Sequence, residues 1–264
     1  MSMSSLRRIW ALTYRYWIAW TNDYWRVINT YYWPLLEFTM WLLIGNWIGT
    51  TDGNQAYLRS FFIASAALWM LYIRVQHDVT VNFAEEFHAQ NLAHIFTMPL
   101  RNWEILASLS LIATVIFGSV LVLFMFFLQW LNFGPLIFSG NFAATVFGLY
   151  LTGLAFGSLV NSLLIRFGII IESIIWVLPW GIALLAGVYN SIQVLPSWLQ
   201  LISHLLPHYY FLEFSHQYII TGTNHWSLFF GGLLMVAGYL ICGIYLFNYM
   251  VTKSKQAGFS ALYK

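Results

Sequence analysis

The chain has 264 residues, of which 60% are hydrophobic and only 8% carry a formal charge. A soluble domain carries roughly 25% charged residues, so the composition excludes a protein whose main surroundings are water. The charged residues cluster between apolar blocks, which also excludes one very large soluble core. The net charge of +2 at pH 7 gives no reason to expect nucleic acid as a partner. We therefore predict an all-α membrane protein surrounded by membrane lipids.

Residues 1–26 have helical periodicity but lack the continuous apolar core of a signal peptide. One side of this helix is predicted to hold Leu6, Ile9, Trp10, Thr13, Trp17, Trp20 and Tyr24, and the other side Arg8, Arg15, Asn22 and Arg26. Tryptophans opposite arginines are typical of a helix at the membrane interface. We predict an interfacial amphipathic helix, with packing on another protein domain as the alternative.

Six stretches are long and apolar enough to cross a bilayer, whose hydrocarbon core of about 30 Å needs about 20 residues per helix. The stretches are residues 28–48, 57–76, 105–131, 142–164, 169–189 and 226–250. Pro179 and Gly181 interrupt the fifth, and the proline is expected to kink the helix. Residues 27–250 are therefore predicted to form a six-span transmembrane domain.

The distribution of basic residues predicts the orientation. With six spans, one side holds Arg7, Arg8, Arg15, Arg26, Arg74, Arg101, Arg166, Lys253, Lys255 and Lys264, and the other side holds Arg59. Arginine and lysine are enriched on the cytoplasmic side of membrane proteins. Both termini, including the tail at residues 251–264, are therefore predicted to be cytoplasmic.

Residues 77–104 form a cytoplasmic segment that is too long for a simple turn. Its ionisable residues are His77, Asp78, Glu85, Glu86, His88, His94, Arg101 and Glu104. A short helix in this segment is expected to present an apolar side made of Phe87, Leu92, Ile95 and Phe96. Pro99 is expected to end that helix, and Asn102 to cap the next one.

Residues 190–225 form an external segment that is too apolar for a solvated loop. Pro196 and Pro207 divide it into two short helical stretches. Irregular backbone at membrane depth must be buried in protein or line a cavity. We predict a re-entrant helical hairpin before the last span.

The sequence lacks the motifs of several kinds of site. It has no G-x-x-x-x-G-K-[ST], so we expect no ATP bound through a P-loop, and it has neither H-E-x-x-H nor C-x-x-C. His204, His208, Glu213 and His216 do not share one helical face, because Pro207 separates them. We therefore predict no metal and no cofactor bound by this chain.

Two carboxylates fall in predicted spans. Glu37 lies within the first span, where an ionised carboxylate costs about 2.5–3.5 kcal/mol on insertion scales, and Arg74 is a candidate partner. Glu172 begins the fifth span and has Arg166 as a candidate partner. Structural ion pairing and the lining of a substrate path are both open for these residues.

Small residues in the fourth span suggest close helix packing. Gly153 and Gly157 have the G-x-x-x-G spacing that allows two helices to approach closely. We expect packing within one subunit, with dimerisation as the alternative.

This order of parts resembles the type-2 permeases of ABC transporters, which have the type V exporter fold. Thr97-Met98-Pro99-Leu100 is similar to the threonine-x-proline turn that follows the coupling helix in that family. The stretch from Leu195-Pro196 to Pro207 and Glu213 resembles the family's outer signature, although Leu206 stands where the family usually has asparagine.

The resemblance implies that this chain is not an enzyme. Two copies, expected as a homodimer, would dock on two separate ATPase subunits that bind ATP and Mg²⁺. The residues implied in coupling to the ATPase are Glu85, Glu86, His88, Leu92, Phe96, Pro99 and Asn102. The translocation path would run between the first and fifth spans, with Glu37, Asn46 and Glu172 as candidate liners. The outer gate would consist of Pro196, Trp198, Pro207, Tyr209 and Glu213.

The expected activity is ATP-driven export of an amphipathic, lipid-linked or glycan-type molecule across a bacterial inner membrane. Two other functions are open on the sequence alone. One is a membrane-embedded enzyme that uses the histidines and glutamate of the external segment. The other is a passive channel or secondary carrier, which would need no ATPase partner.

Overall fold

The computed structural model describes residues 4–51, 55–132 and 138–257. These residues form α-helices joined by turns and two short 3-10 helices, with no β-strand among them. The prediction of an all-α protein is confirmed. The predicted turn at Asp52, Gly53 and Asn54, the loop around Gly134 and Pro135, and the tail beyond residue 257 lie outside the described residues.

The described part of the chain contains ten α-helices. They are α1 (Ser5–Asn22), α2 (Tyr24–Thr51), α3 (Gln55–His88), α4 (Leu92–Thr97), α5 (Asn102–Trp130), α6 (Gly140–Phe167), α7 (Ile174–Ala186), α8 (Ser197–Leu205), α9 (Pro207–Thr221) and α10 (Trp226–Ala257). The 3-10 helices are Gly168–Ile171, directly after α6, and Ile192–Val194, before α8.

Among the described residues, three stretches of helix are long and apolar enough to cross a membrane: Asn102–Trp130, Gly140–Ile171 and Trp226–Gln256. They contain most of the third, fourth and sixth predicted spans, and they indicate a membrane protein. The predicted first, second and fifth spans are not among them.

The fifth predicted span is shorter than the sequence suggested. Its α-helix, α7, has 13 residues and therefore extends about 20 Å, less than the hydrocarbon core of about 30 Å. The 3-10 helix Gly168–Ile171 precedes it, and Gly187 ends it with a positive φ of 80°. This left-handed conformation suits glycine, which has no Cβ.

The centre of the bundle is the contact of α6 with α3 and α10. A Cβ built on Gly153 would lie 2.7 Å from Cβ of Val75, and one on Gly157 would lie 2.7 Å from Cγ1 of Val79. These distances leave no room for a side chain larger than hydrogen. The expectation that Gly153 and Gly157 pack within one subunit is confirmed.

The second predicted span and the first part of the predicted cytoplasmic segment lie in one helix. No helix-breaking residue occurs between positions 77 and 88, and Val79, Phe83 and Phe87 continue the buried side of α3 at four-residue spacing. The helix ends at His88, and Gln90 follows with a positive φ of 53°. The helix therefore extends 12 residues beyond the predicted end of the span at residue 76, because its apolar periodicity continues.

The predicted short cytoplasmic helix is α4, which is shorter than expected because Phe87 belongs to α3. It ends at Thr97, before Pro99. The cap of α5 differs from the prediction by one residue. Asn102 is the first helical residue, and the backbone N–H of Arg101 donates to Oε2 of Glu104 at 2.9 Å.

Helix α1 packs on α5 and on the beginning of α2. Its buried residues are Ile9, Leu12, Thr13, Tyr16 and Trp20. Leu6, Trp10 and Trp17 were predicted on that side and are exposed. The buried side is rotated from the predicted one towards Arg8 and Arg15, which lie two turns apart on the same flank of the helix and make ion pairs with the bundle.

Residues 190–225, the predicted external segment, contain the two short helices that the sequence predicts. Leu206 has an extended conformation between α8 and α9, and Pro207 is the first residue of α9, where its missing N–H costs nothing. Phe211 and Phe214 of α9 are fully buried in the bundle. Helix α8 is mostly exposed.

Candidate functional site

A cavity of about 540 Å³ lies between α2, α3 and α7, with Trp20 of α1 at its edge. This volume is in the range of small-molecule sites, about 300–1,000 Å³. The other lining residues are Arg26, Asn29, Thr30, Trp33, Pro34 and Glu37 of α2; Met70, Ile73, Arg74, His77, Asp78, Val81 and Glu85 of α3; and Trp176, Pro179 and Trp180 of α7.

Three tryptophans lie where the cavity meets the surface. Trp33 of α2 and Trp176 and Trp180 of α7 are 58%, 54% and 48% exposed. Trp176 is held edge-on against the ring of His77, with 4.5 Å between the ring centroids. The Nε2–H of His77 donates to the carbonyl oxygen of Ile175 at 3.1 Å, which fixes the imidazole beside α7. The cavity is therefore open between α2 and α7 and has an aromatic rim.

Four of the five charged groups in the cavity wall form ion pairs. Arg26 of α2 donates to Oε2 of Glu85 at 2.5 Å and to Oδ1 of Asn82 at 3.1 Å. Arg74 donates through Nε to Oδ2 of Asp78 at 2.8 Å and through Nη2 to the other oxygen. The predicted pair of Arg74 with Glu37 is wrong, because Asp78 lies one turn away on the same helix.

Glu37 is the remaining charged group of the cavity wall. Its Oε1 is buried and has no hydrogen-bond partner among the described residues, and none of the ion pairs among those residues includes it. It shares one side of α2 with Trp33 and Trp41, four residues before and after it. Trp41 stacks on Tyr189 with 4.1 Å between the ring centroids. Glu37 is therefore an unpaired acidic group in an aromatic, partly enclosed site.

The two other residues predicted for a translocation path lie outside this cavity. Asn46 is exposed on α2, about 14 Å further along the helix axis than Glu37. Glu172 accepts from Nε2 of His88 at 3.1 Å. The predicted partner of Glu172, Arg166, instead lies over the ring of Phe167. Of the three predicted path residues, the structure places only Glu37 in the cavity.

A second polar cluster joins the ends of several helices near α4. Arg15 of α1 donates to Glu86 at 2.7 Å, and Arg8 of α1 donates to Glu104 of α5 at 2.6 Å. The hydrogen bonds with Glu104 raise the pKa of the Arg8 guanidinium. The sequence did not predict these contacts, since a helical pattern shows which residues share a side but not which helix will contact them.

The pair of Arg26 with Glu85 connects this cluster to the cavity. Partial burial raises the pKa of the Glu85 carboxyl, and the neighbouring Arg26 guanidinium acts in the opposite direction. Glu85 lines the cavity and lies one residue before Glu86. The last turn of α3 is thus tied to both α1 and α2.

The predicted coupling residues divide into a buried and an accessible group. Glu86, Leu92 and Phe96 are buried within this chain and cannot contact a partner in this conformation. Glu85 and Asn102 are partly exposed. The exposed side of this region includes His88, Gln90, His94, Thr97, Pro99 and Arg101.

The predicted outer-gate residues are spread over two helices and their flanks. Pro196 and Trp198 are exposed, Tyr209 is partly buried, and Pro207 is buried. The Glu213 carboxylate accepts from the side-chain amide of Gln217 at 2.6 Å. The structure does not bring these residues into one cluster.

The histidines of the external segment have separate surroundings. His208 is fully buried against Trp69, Tyr72 and Phe156, whereas His216 shares a hydrogen bond of 2.7 Å with Ser65. Within the described ranges, no group of three or more histidine, cysteine, aspartate or glutamate residues could hold a metal ion.

No protein-family model matches this chain, and no curated protein sequence matches it. The functional conclusion therefore depends on the residues and contacts given above.

Proposed function

We propose that this chain is the permease subunit of an ATP-driven exporter of the ABC type-2 kind. In this proposal α2, α3 and the segment formed by the 3-10 helix Gly168–Ile171 together with α7 cross the bilayer with the three apolar spans. Helices α8 and α9 form the re-entrant hairpin. Both termini are cytoplasmic, and the membrane is a bacterial inner membrane. Two copies pair and bind two separate ATPase subunits, which supply ATP and Mg²⁺ chemistry. The exported molecule is amphipathic and enters the cavity between α2, α3 and α7.

The observation that carries this proposal is the ion-paired connection between the α4 region and the cavity. The exposed residues from His88 to Arg101 lie beside Glu86 and Glu104, which are held by arginines of α1. Glu85, next to Glu86, is held by Arg26 in the cavity wall. A displacement of α4 by a docked protein would therefore move α2 and α3 together.

The burial of the ion pairs made by Glu86 and Glu104 supports a role in transmitting movement between the helices that they join. Glu86 and Glu104 are almost completely buried, and removing the partner of a buried charge is strongly destabilising. The end of α3, the beginning of α5 and α1 should therefore move as one unit. A chain without a P-loop motif needs such a unit to receive work from a nucleotide-hydrolysing partner.

Site-specific photocrosslinking tests this proposal. A photoreactive amino acid at Gln90, His94 or Thr97, all exposed beside α4, should crosslink to a P-loop ATPase in native membranes. The matched control is Thr223, which is exposed between α9 and α10 and is predicted on the opposite side of the membrane. The proposal requires crosslinks at the first three positions and none at Thr223.

Two results would overturn the proposal. One is crosslinking near α4 to no nucleotide-hydrolysing protein in membranes where the chain is correctly inserted. The other is access of an impermeant thiol reagent to a cysteine at position 97 from the outer face.

A further inference from the structure

We propose that the cavity between α2, α3 and α7 binds an amphipathic organic cation. Glu37 is its counter-ion, and Trp33, Trp176 and Trp180 form the aromatic surface for its apolar and cationic parts. The inference names the substrate class of the proposed transport site, so its physiological meaning rests on the exporter proposal. Binding itself requires only this chain.

The charge balance of the cavity favours a cation. Three carboxylates and two guanidinium groups line it, which leaves one net negative charge. Both guanidinium groups are already paired, Arg26 with Glu85 and Arg74 with Asp78. The unpaired acidic group is therefore Glu37, and a partly buried carboxylate without a partner is costly until a cation reaches it.

Two further polar residues of the wall, His77 and Thr30, do not neutralise Glu37. His77 donates to the Ile175 carbonyl, and the hydroxyl of Thr30 donates to the Arg26 carbonyl while it accepts from the indole of Trp20. These groups are occupied by partners within the chain.

The aromatic residues suit the same ligand. Tryptophan is the side chain whose ring face attracts cations most strongly. Trp33 is one helical turn from Glu37, and Trp176 and Trp180 are one turn apart on the opposite wall. A ligand between α2 and α7 would contact the carboxylate on one side and indole rings on the other.

Other ligand classes fit this wall less well. An anion would be repelled by Glu37 and would find both guanidinium groups engaged. A neutral apolar molecule would cover the carboxylate without neutralising it, at the cost of its desolvation. A small inorganic cation would leave most of the 540 Å³ unfilled.

Equilibrium binding of tetraphenylphosphonium tests this inference. The radiolabelled cation is dialysed against the full-length chain in nanodiscs of zwitterionic lipid, at about pH 8.5, above the ordinary pKa range of carboxylates. Tetraphenylborate, which has the same shape and the opposite charge, is the matched control and is measured in a separate dialysis. We expect saturable binding of the cation and no saturable binding of tetraphenylborate.

Four variants identify the site. Glu37→Gln should weaken binding about tenfold, equivalent to about 1.4 kcal/mol, and Glu37→Asp should restore most of the affinity. Trp180→Leu should weaken it about threefold through the lost ring face. Asp23→Asn is the control, because Asp23 is exposed outside the cavity and asparagine can keep its capping bonds to Trp25 and Arg26.

The inference is overturned if tetraphenylborate binds as well as the cation, which would indicate an apolar lipid site. It is also overturned if Glu37→Gln leaves the affinity unchanged, or if Asp23→Asn lowers it equally. Selective cation binding without an ATPase crosslink would support the cation site and refute the exporter proposal. An ATPase crosslink without selective cation binding would support the exporter proposal and refute the cation site.

Discussion

Alanine at Gly153 should destabilise the protein, because α3 and α6 touch at this position. The added Cβ would lie 2.7 Å from Cβ of Val75 and 3.3 Å from the backbone nitrogen of Gln76. A β-branched side chain has little rotamer freedom in a helix, so Val75 cannot turn away. The two helices must separate, or the valine must adopt a strained geometry.

Two opposing effects determine the size of this loss. Replacing an unhindered helical glycine by alanine stabilises a helix by about 0.5–1 kcal/mol, whereas overpacking a tight contact costs about 1–3 kcal/mol. We therefore expect Gly153→Ala to lower the free energy of unfolding by about 0.5–2 kcal/mol. Gly118→Ala is the matched control, because a Cβ at Gly118 meets no atom within 4 Å. That variant should be neutral or up to about 1 kcal/mol more stable.

The assay is the midpoint temperature at which detergent-solubilised protein loses its monodisperse peak after heating. The midpoint should fall for Gly153→Ala and stay equal or rise for Gly118→Ala. Adding Val75→Ala to Gly153→Ala should recover only a small part of the loss, since it removes Cγ1 at 2.8 Å but keeps the Cβ at 2.7 Å. Midpoints that shift in the same direction for both alanine variants would refute the close α3–α6 contact.

Three further predictions concern the ion pairs and buried polar groups. Arg15→Gln should lower the thermal midpoint by an amount equivalent to about 1 kcal/mol, because the buried Glu86 loses its cation while Arg15 is itself partly exposed. Adding Glu86→Gln should recover part of this loss. A lack of recovery would argue against the ion pair. Leu92→Asp should prevent accumulation of folded protein, because Leu92 is fully buried. Thr97→Asp, on the exposed side of α4, should leave the protein monodisperse. Equal effects of the two variants would contradict the orientation of α4. His208→Phe should stabilise the protein by about 1 kcal/mol in the same heating assay, because neither ring nitrogen of this buried histidine has a hydrogen-bond partner among the described residues. A lower midpoint would contradict this reasoning and would indicate a polar interaction of His208.

Much of the architecture could be predicted from local patterns. The apolar runs that became α5, α6 and α10 were identified by length and composition, because a bilayer requires both in one continuous segment. The proline positions marked the division between α8 and α9 and the end of α4. These features depend on neighbours within a few residues.

The candidate site could be predicted only in part. Glu37 was identified because a carboxylate in an apolar run is costly. Its relation to Trp176 and Trp180 could not be foreseen, since the side of α2 that faces α7 depends on how both helices pack on α3. Leu92 and Phe96 were predicted at a partner surface but are buried, because an amphipathic pattern cannot tell whether its apolar side faces this chain or another.

The sequence by itself determined the helical class of this protein, its three most apolar spans and the helix ends that proline marks. Each of these follows from backbone chemistry and hydrophobicity over a short stretch. Only the tertiary structure decided the partners of the charged groups. Arg26, Arg15 and Arg8 bind carboxylates that are 59, 71 and 96 residues away along the chain. Such pairs depend on helix rotation and packing, which leave Glu37 with no cation among the described residues of its own chain.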